Sequence, residues 1–176
     1  GGSDESWFVG YNNADATFSG KLTTKSVTKM GTGNWTIKGN ENTSSITVKE
    51  GKLTIFNLTG SATTGTMTIA KGATLAGSGT TNSLVAQAGA IIIPGITETA
   101  VGTIKTNSNA IIQAGASMII NVSATSNSKL NVKGSIFTMA GNDTIVIAPQ
   151  DGRTFIVGEK LTLFPGTKPA SGWIIK

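Results

Sequence analysis

The stretch Ile46-Thr47-Val48-Lys49-Glu50-Gly51-Lys52-Leu53 decides the fold, because its form returns along the chain. Met67-Thr68-Ile69-Ala70-Lys71-Gly72-Ala73-Thr74-Leu75 repeats it, as do Leu84-Val85-Ala86-Gln87-Ala88-Gly89-Ala90-Ile91 and Ala110-Ile111-Ile112-Gln113-Ala114-Gly115-Ala116-Ser117-Met118. Each copy is a β-prone run, two turn residues, a glycine and a second run. The glycines stand at 51, 72, 89 and 115, and Leu130-Asn131-Val132-Lys133-Gly134-Ser135-Ile136 reads as a shortened fifth copy. Self-similarity at a spacing of roughly 20 residues marks units that bury an apolar face only by stacking on their neighbours.

Two architectures can produce such a repeat. A tight antiparallel hairpin prefers Asn-Gly or Asp-Gly at its turn, and Glu50-Gly51, Lys71-Gly72, Ala88-Gly89 and Ala114-Gly115 fit that preference poorly. In a parallel β-solenoid the glycine supplies a bend at positive φ, where the chain turns a corner into the next face. Unequal spacing suits the solenoid, since extra residues bulge out as loops. No window holds a helical period, and short β-branched runs such as Leu53-Thr54-Ile55 and Thr144-Ile145-Val146-Ile147 recur instead. The fold class expected is all-β: a single-stranded right-handed parallel β-helix of about seven to eight coils with capped ends, a rod of roughly 35 Å at ~4.8 Å per coil.

Composition agrees with that reading. Of 176 residues only 13% are charged and 38% are hydrophobic. Thr, Ser, Asn and Gly together make up roughly 45%. Outward strand positions need only be polar and strand-compatible, which favours threonine. Inward β-branched residues fill a continuous column. The chain has no histidine and no cysteine. A Ser-His-Asp triad, a thiol nucleophile, a zinc finger and a disulfide framework are therefore excluded.

The net charge is +5, but the 14 basic residues are scattered, with no adjacent pair and a single arginine, Arg153. Nucleic-acid surfaces cluster their basic residues, so no nucleic-acid partner is expected. The longest apolar run, Ala90-Ile91-Ile92-Ile93, is closed by Pro94-Gly95, and no transmembrane segment is expected. The start Gly1-Gly2-Ser3-Asp4-Glu5-Ser6 reads as a tag scar or as the tether left by a processed secretion signal.

In the order of its parts the sequence resembles the autotransporter-associated β-strand repeat of bacterial surface proteins. The residues that carry the resemblance are Lys29-Met30-Gly31-Thr32-Gly33-Asn34-Trp35-Thr36-Ile37, then Val48-Lys49-Glu50-Gly51-Lys52-Leu53-Thr54-Ile55, then Gly72-Ala73-Thr74-Leu75-Ala76-Gly77-Ser78-Gly79-Thr80. Ile93-Pro94-Gly95, followed by Val101-Gly102-Thr103-Ile104, is similar to the family's Pro-Gly step. The resemblance implies a right-handed parallel β-helix on a secreted or outer-membrane-associated cell-surface protein, with a host or environmental surface, glycans included, as partner. Such repeats occur in adhesin passengers and in accessory regions of polysaccharide-active proteins. The organisation expected is an N-terminal cap or tether over 1–24, repeats over 25–165 and a C-terminal cap or tail over 166–176. The cap candidates are Trp7-Phe8-Val9-Gly10-Tyr11 and the tail around Pro165, Pro169 and Trp173.

Candidate chemistry is sparse. A polysaccharide lyase needs carboxylates converging on calcium plus a basic residue. Asp143 and Asp151, with Arg153 and Lys133 nearby in sequence, are the nearest approach, and Gly141-Asn142-Asp143 and Gln150-Asp151-Gly152 also read as ordinary turns. Gly31-Thr32-Gly33 and Gly77-Ser78-Gly79 lack the further glycine and the helix of a nucleotide site. No catalytic residue, metal ligand or cofactor is expected, and the chain is read as no enzyme. Trp7 and Trp173 are the candidates for stacking on sugar rings, while Trp35 is read as core. Asp143-Thr144-Ile145 resembles a bacterial O-glycosylation triplet, which makes Thr144 a candidate acceptor. Asn-x-Ser/Thr triplets start at Asn34, Asn42, Asn57, Asn121 and Asn142 and are frequent by chance in so Asn- and Thr-rich a chain. The expected function is a non-enzymatic surface module acting as adhesin fragment, stalk or spacer, with a carbohydrate-binding or polysaccharide-processing accessory domain as the alternative.

Overall fold

A computed structural model describes residues 4–39, 42–57, 60–97, 99–169 and 173–176, without the side chains of Asn42 and Trp173. The Gly1-Gly2-Ser3 start lies outside the described residues. Among the described residues there is no helix; strands, numbered along the chain, fall into three sheets. The first sheet, face A, holds β1 (Ser6–Val9), β3 (Thr23–Lys29), β5 (Asn42–Val48), β7 (Thr66–Ile69), β10 (Ser83–Ala86), β13 (Ala110–Ile112) and β16 (Phe137–Met139). Face B holds β2 (Ala16–Phe18), β4 (Asn34–Ile37), β6 (Lys52–Ile55), β8 (Thr74–Gly77), β11 (Ile91–Pro94), β14 (Ser117–Val122), β17 (Asp143–Pro149) and β18 (Trp173–Ile175). The small face C holds β9 (Thr80–Thr81), β12 (Thr103–Thr106) and β15 (Lys129–Val132).

Every pairing between these strands is parallel, for example Ile46↔Met67 and Leu53↔Leu75. The only antiparallel contacts among the described residues are isolated bridges, Gly77↔Gly95 and Val122↔Asn127. The repeat therefore builds an all-β, parallel, solenoid-like stack and not a row of hairpins. The corner glycines show why. Gly51, Gly72, Gly89 and Gly115 have φ of 65°, 77°, 80° and 87°, a region that costs any other L-residue about 1 kcal/mol or more. Each glycine ends the passage from an A strand to a B strand.

Alternation along the strands separates column from surface. On face A, Val27, Ile46, Met67, Leu84, Ala110 and Phe137 share one register row, and all are buried. Trp35, Leu53, Leu75, Ile92, Met118 and Ile145 form the equivalent buried row on face B. These rows belong to one continuous hydrophobic cluster from Leu22 to Ile145. Trp35 is core, as its place in the repeat predicts.

The stack begins ahead of residue 25. β1 pairs with β3 and β2 with β4, so Trp7 and Val9 continue the inward rows of face A. At the other end, residues 150–169 contain no strand and fold over the column, where Phe164 meets Phe137 edge-on with ring centroids 5.2 Å apart. Leu163 and Thr167 bond to β15 through Leu130 N–H to Leu163 O at 3.0 Å and Thr167 N–H to Val132 O at 2.8 Å. The last strand, β18, pairs with β17.

Candidate functional site

The most regular surface is the outer side of face A. Two residues apart on each strand, Ser26 and Thr28, Ser45 and Thr47, and Thr66 and Thr68 align in two parallel rows, and Ser83 and Val85 extend them. Neighbouring rungs of a parallel sheet lie ~4.8 Å apart, so this face is a close-set, uncharged array of hydroxyl and methyl groups. Ser26 bonds to Ser6 at 2.8 Å; the hydroxyls of Thr28, Ser45, Thr47, Thr66, Thr68 and Ser83 have no partner among the described residues. At the N-terminal edge Phe8 takes the place of threonine in the second row.

That edge carries the aromatic candidates. Trp7 is aligned with Val27 and so belongs to the inward row. Among the described residues no strand pairs on its other side, and it is 38% exposed, its Nε1 donating to Glu5 Oε2 at 3.2 Å. Phe8 and Tyr11 are more open, at 59% and 67%. Trp7 thus lies in the inward row of the first described strand while remaining partly open to solvent. Trp173 lies on β18, and its side chain is outside the description, so the two tryptophans are placed at opposite ends of the stack.

The carboxylates do not converge. Asp143 opens β17 and Asp151 follows its end, so the strand between them holds them roughly 20 Å or more apart. Asp151 is an exposed turn residue with φ 54°. Asp143 is fully buried, and neither of its carboxylate oxygens has a hydrogen-bond partner. Burial pushes its pKa up to about 6; the amides of Ala116, Ala140 and Gly115 face the carboxylate without completing bonds and oppose that rise only in part. Arg153 is engaged elsewhere, ion-paired with Glu159, donating to the Ser123 carbonyl and lying 5.3 Å over the Phe155 ring. Among the described residues no group of three or more His, Cys, Asp or Glu side chains is placed to hold a metal ion.

Thr144 sits on β17 between Ser117 of β14 and Ile174 of β18, partly exposed on the side away from the column. Of the asparagine triplets, Asn57 and Asn121 are buried. Asn57 Nδ2 donates to the carbonyls of Gly60 at 3.2 Å and Thr80 at 3.1 Å, and Asn121 Nδ2 to that of Ala100 at 3.0 Å. These two therefore pin loops and present no acceptor nitrogen.

Two features escaped the sequence. Lys29, inward on β3, is buried, and its Nζ donates to the carbonyls of Met30 at 2.8 Å, Gly31 at 2.6 Å and Glu50 at 3.2 Å. Burial lowers its pKa below the usual lysine value, opposed by the charges of Glu50 and Asp15. The second is a cavity of about 850 Å³ in the C-terminal end, walled by Ile147, Leu163, Phe164 and Ile175 with Lys168 and Lys176 beside them.

No family model and no curated protein matches the chain. No helix among the described residues is long and apolar enough to cross a membrane.

Proposed function

We propose that this chain is a non-enzymatic, secreted or surface-exposed module: an adhesin fragment, stalk or spacer that displays binding functions outside the cell after removal of a secretion signal. In this reading the stack is a right-handed parallel β-helix of the autotransporter-associated type. The seven-stranded and eight-stranded sheets accommodate about seven to eight coils. The observation that carries the reading is the combination of one continuous hydrophobic cluster with uncharged hydroxyl rows across β3, β5 and β7 on the outer side of face A. Such a rod holds its ends apart, with each rung stabilised by its neighbours.

A second reading, a carbohydrate-binding accessory domain, is favoured by Phe8 and Trp7, whose exposed rings stand where the hydroxyl rows of face A end. Rings of this kind stack on sugar faces while hydroxyl groups satisfy the polar rim. A glycan panel tests both. Display alone predicts no saturable binding and no calcium-dependent turnover of a uronate polymer. Saturable binding lost on Phe8→Ala or on Trp173→Ala contradicts the inert stalk and establishes the second reading.

A further inference from the structure

Residues 153–159 cross the C-terminal end of the stack and hold three successive large apolar side chains in solvent: Phe155 at 46%, Ile156 at 77% and Val157 at 103% of full exposure. No other stretch whose side chains are described exposes three in a row. This loop is braced. Arg153 and Glu159 pair across its base, Glu159 N–H donates to Ile156 O at 3.0 Å, and Arg153 is tied back to Ser123. An apolar tip on a pinned loop is a presented surface, and exposed apolar clusters of this kind mark contact sites.

Its surroundings select the partner. Lys168 and Lys176 line the same cavity as Phe155, Ile156 and Ile175, and Lys160 follows the loop directly. The one acidic residue in that lining, Glu159, is neutralised by Arg153, the only ion pair among the described residues. Apolar side chains beside unpaired lysines match the boundary between acyl chains and anionic headgroups. We propose that the C-terminal end docks on the surface of an anionic lipid bilayer, with Phe155, Ile156 and Val157 entering the acyl boundary and Lys160, Lys168 and Lys176 at the phosphates. The proposal uses the opposite end from the glycan-stacking rings and stands apart from the display reading.

Sedimentation with vesicles of phosphatidylcholine containing about a third phosphatidylglycerol tests it. The full chain should co-sediment with these vesicles, lose most of that binding at high salt, and bind pure phosphatidylcholine at least about tenfold more weakly. Ile156→Asp with Val157→Asp should abolish binding, and Lys168→Glu with Lys176→Glu should weaken it by about tenfold or more. Both sites are exposed, so the circular dichroism melt should stay unchanged; Ile156→Ser with Val157→Ser gives the same readout without added charge. Retained binding in the tip variants, or equal binding to neutral vesicles, overturns the proposal. So does a wild-type dimer on size exclusion that the tip variants convert to monomer, because the patch would then be covered by a second copy.

Discussion

Lys29 reaches into the next rung of the stack, its ammonium donating to the carbonyl oxygen of Glu50 at 3.2 Å while also holding the carbonyls of Met30 and Gly31. In its register row the neighbours are Val9 and Val48. A cation therefore occupies a position that is otherwise apolar, and its three donors satisfy three corner carbonyls. Lys29→Met keeps the volume but leaves those carbonyls without a donor, and should cost about 2–3 kcal/mol. The urea midpoint of the variant checks this.

Asp143 gives the pH dependence. It immediately precedes Thr144, which aligns with Ser117 and, through it, Ile91 and Thr74; the residues before those are Ala116, Ala90 and Ala73, all fully buried. A carboxylate thus fills a site built for a methyl group. With its pKa raised from 3.8 to about 6, the folded protein binds more protons than the unfolded chain between those values. Stability then falls as pH rises through that window, and the full cost is present above about 6. Asp143→Ala should therefore stabilise the protein by about 3 kcal/mol more at neutral pH than below the unfolded pKa. Denaturation of both proteins across this range measures the difference.

Register predicts opposite outcomes at adjacent positions. Ile112 is buried in the row of Ile69 and Ala86, whereas Ile111 is 40% exposed in the outer row with Val85 and Thr138. Ile112→Asp places an unpaired charge in the column and should unfold the module cooperatively. Ile111→Asp should change stability by under about 1 kcal/mol. A one-residue error in the register would exchange these two results in a thermal melt.

Corner glycines should divide into two classes. A Cβ at Gly115 meets nothing within 4 Å, so alanine there costs only the positive φ, about 1 kcal/mol. At Gly77 a Cβ would lie 2.0 Å from the Ile55 carbonyl oxygen, in a strand that also bridges Gly95. Gly77→Ala should therefore displace the backbone and cost several times more. Calorimetry of the two variants separates a strained dihedral from a blocked rung.

The corners were legible because glycine at positive φ leaves a trace in sequence, and the four quoted glycines all sit in that region. β1 and β2 were not legible as rungs. Gly10, with φ 91°, is a corner of the same kind, but Trp7, Phe8 and Tyr11 around it read as an end cap. Lys29 was hidden for a different reason: lysine in an alternating strand reads as outward, and only its contact with three carbonyls shows why it points in. Asp143 reads as a turn residue and does begin just after one, yet its side chain turns into the corner. The exposed tip at Phe155–Val157 had no signal, because an apolar triplet in sequence looks the same whether a loop buries it or presents it.

A disulfide tests the parallel, in-register stack most directly, because the chain has no cysteine. Thr47 and Thr68 are register partners on the outer side of face A, and parallel neighbours at ~4.8 Å lie within the Cα separation a disulfide spans. The parallel stack predicts that Thr47→Cys with Thr68→Cys oxidises to a monomeric cross-linked species with native stability, while Thr47→Cys with Ile69→Cys, on opposite sides of the sheet, does not. Efficient cross-linking of the second pair, or none in the first, would contradict it.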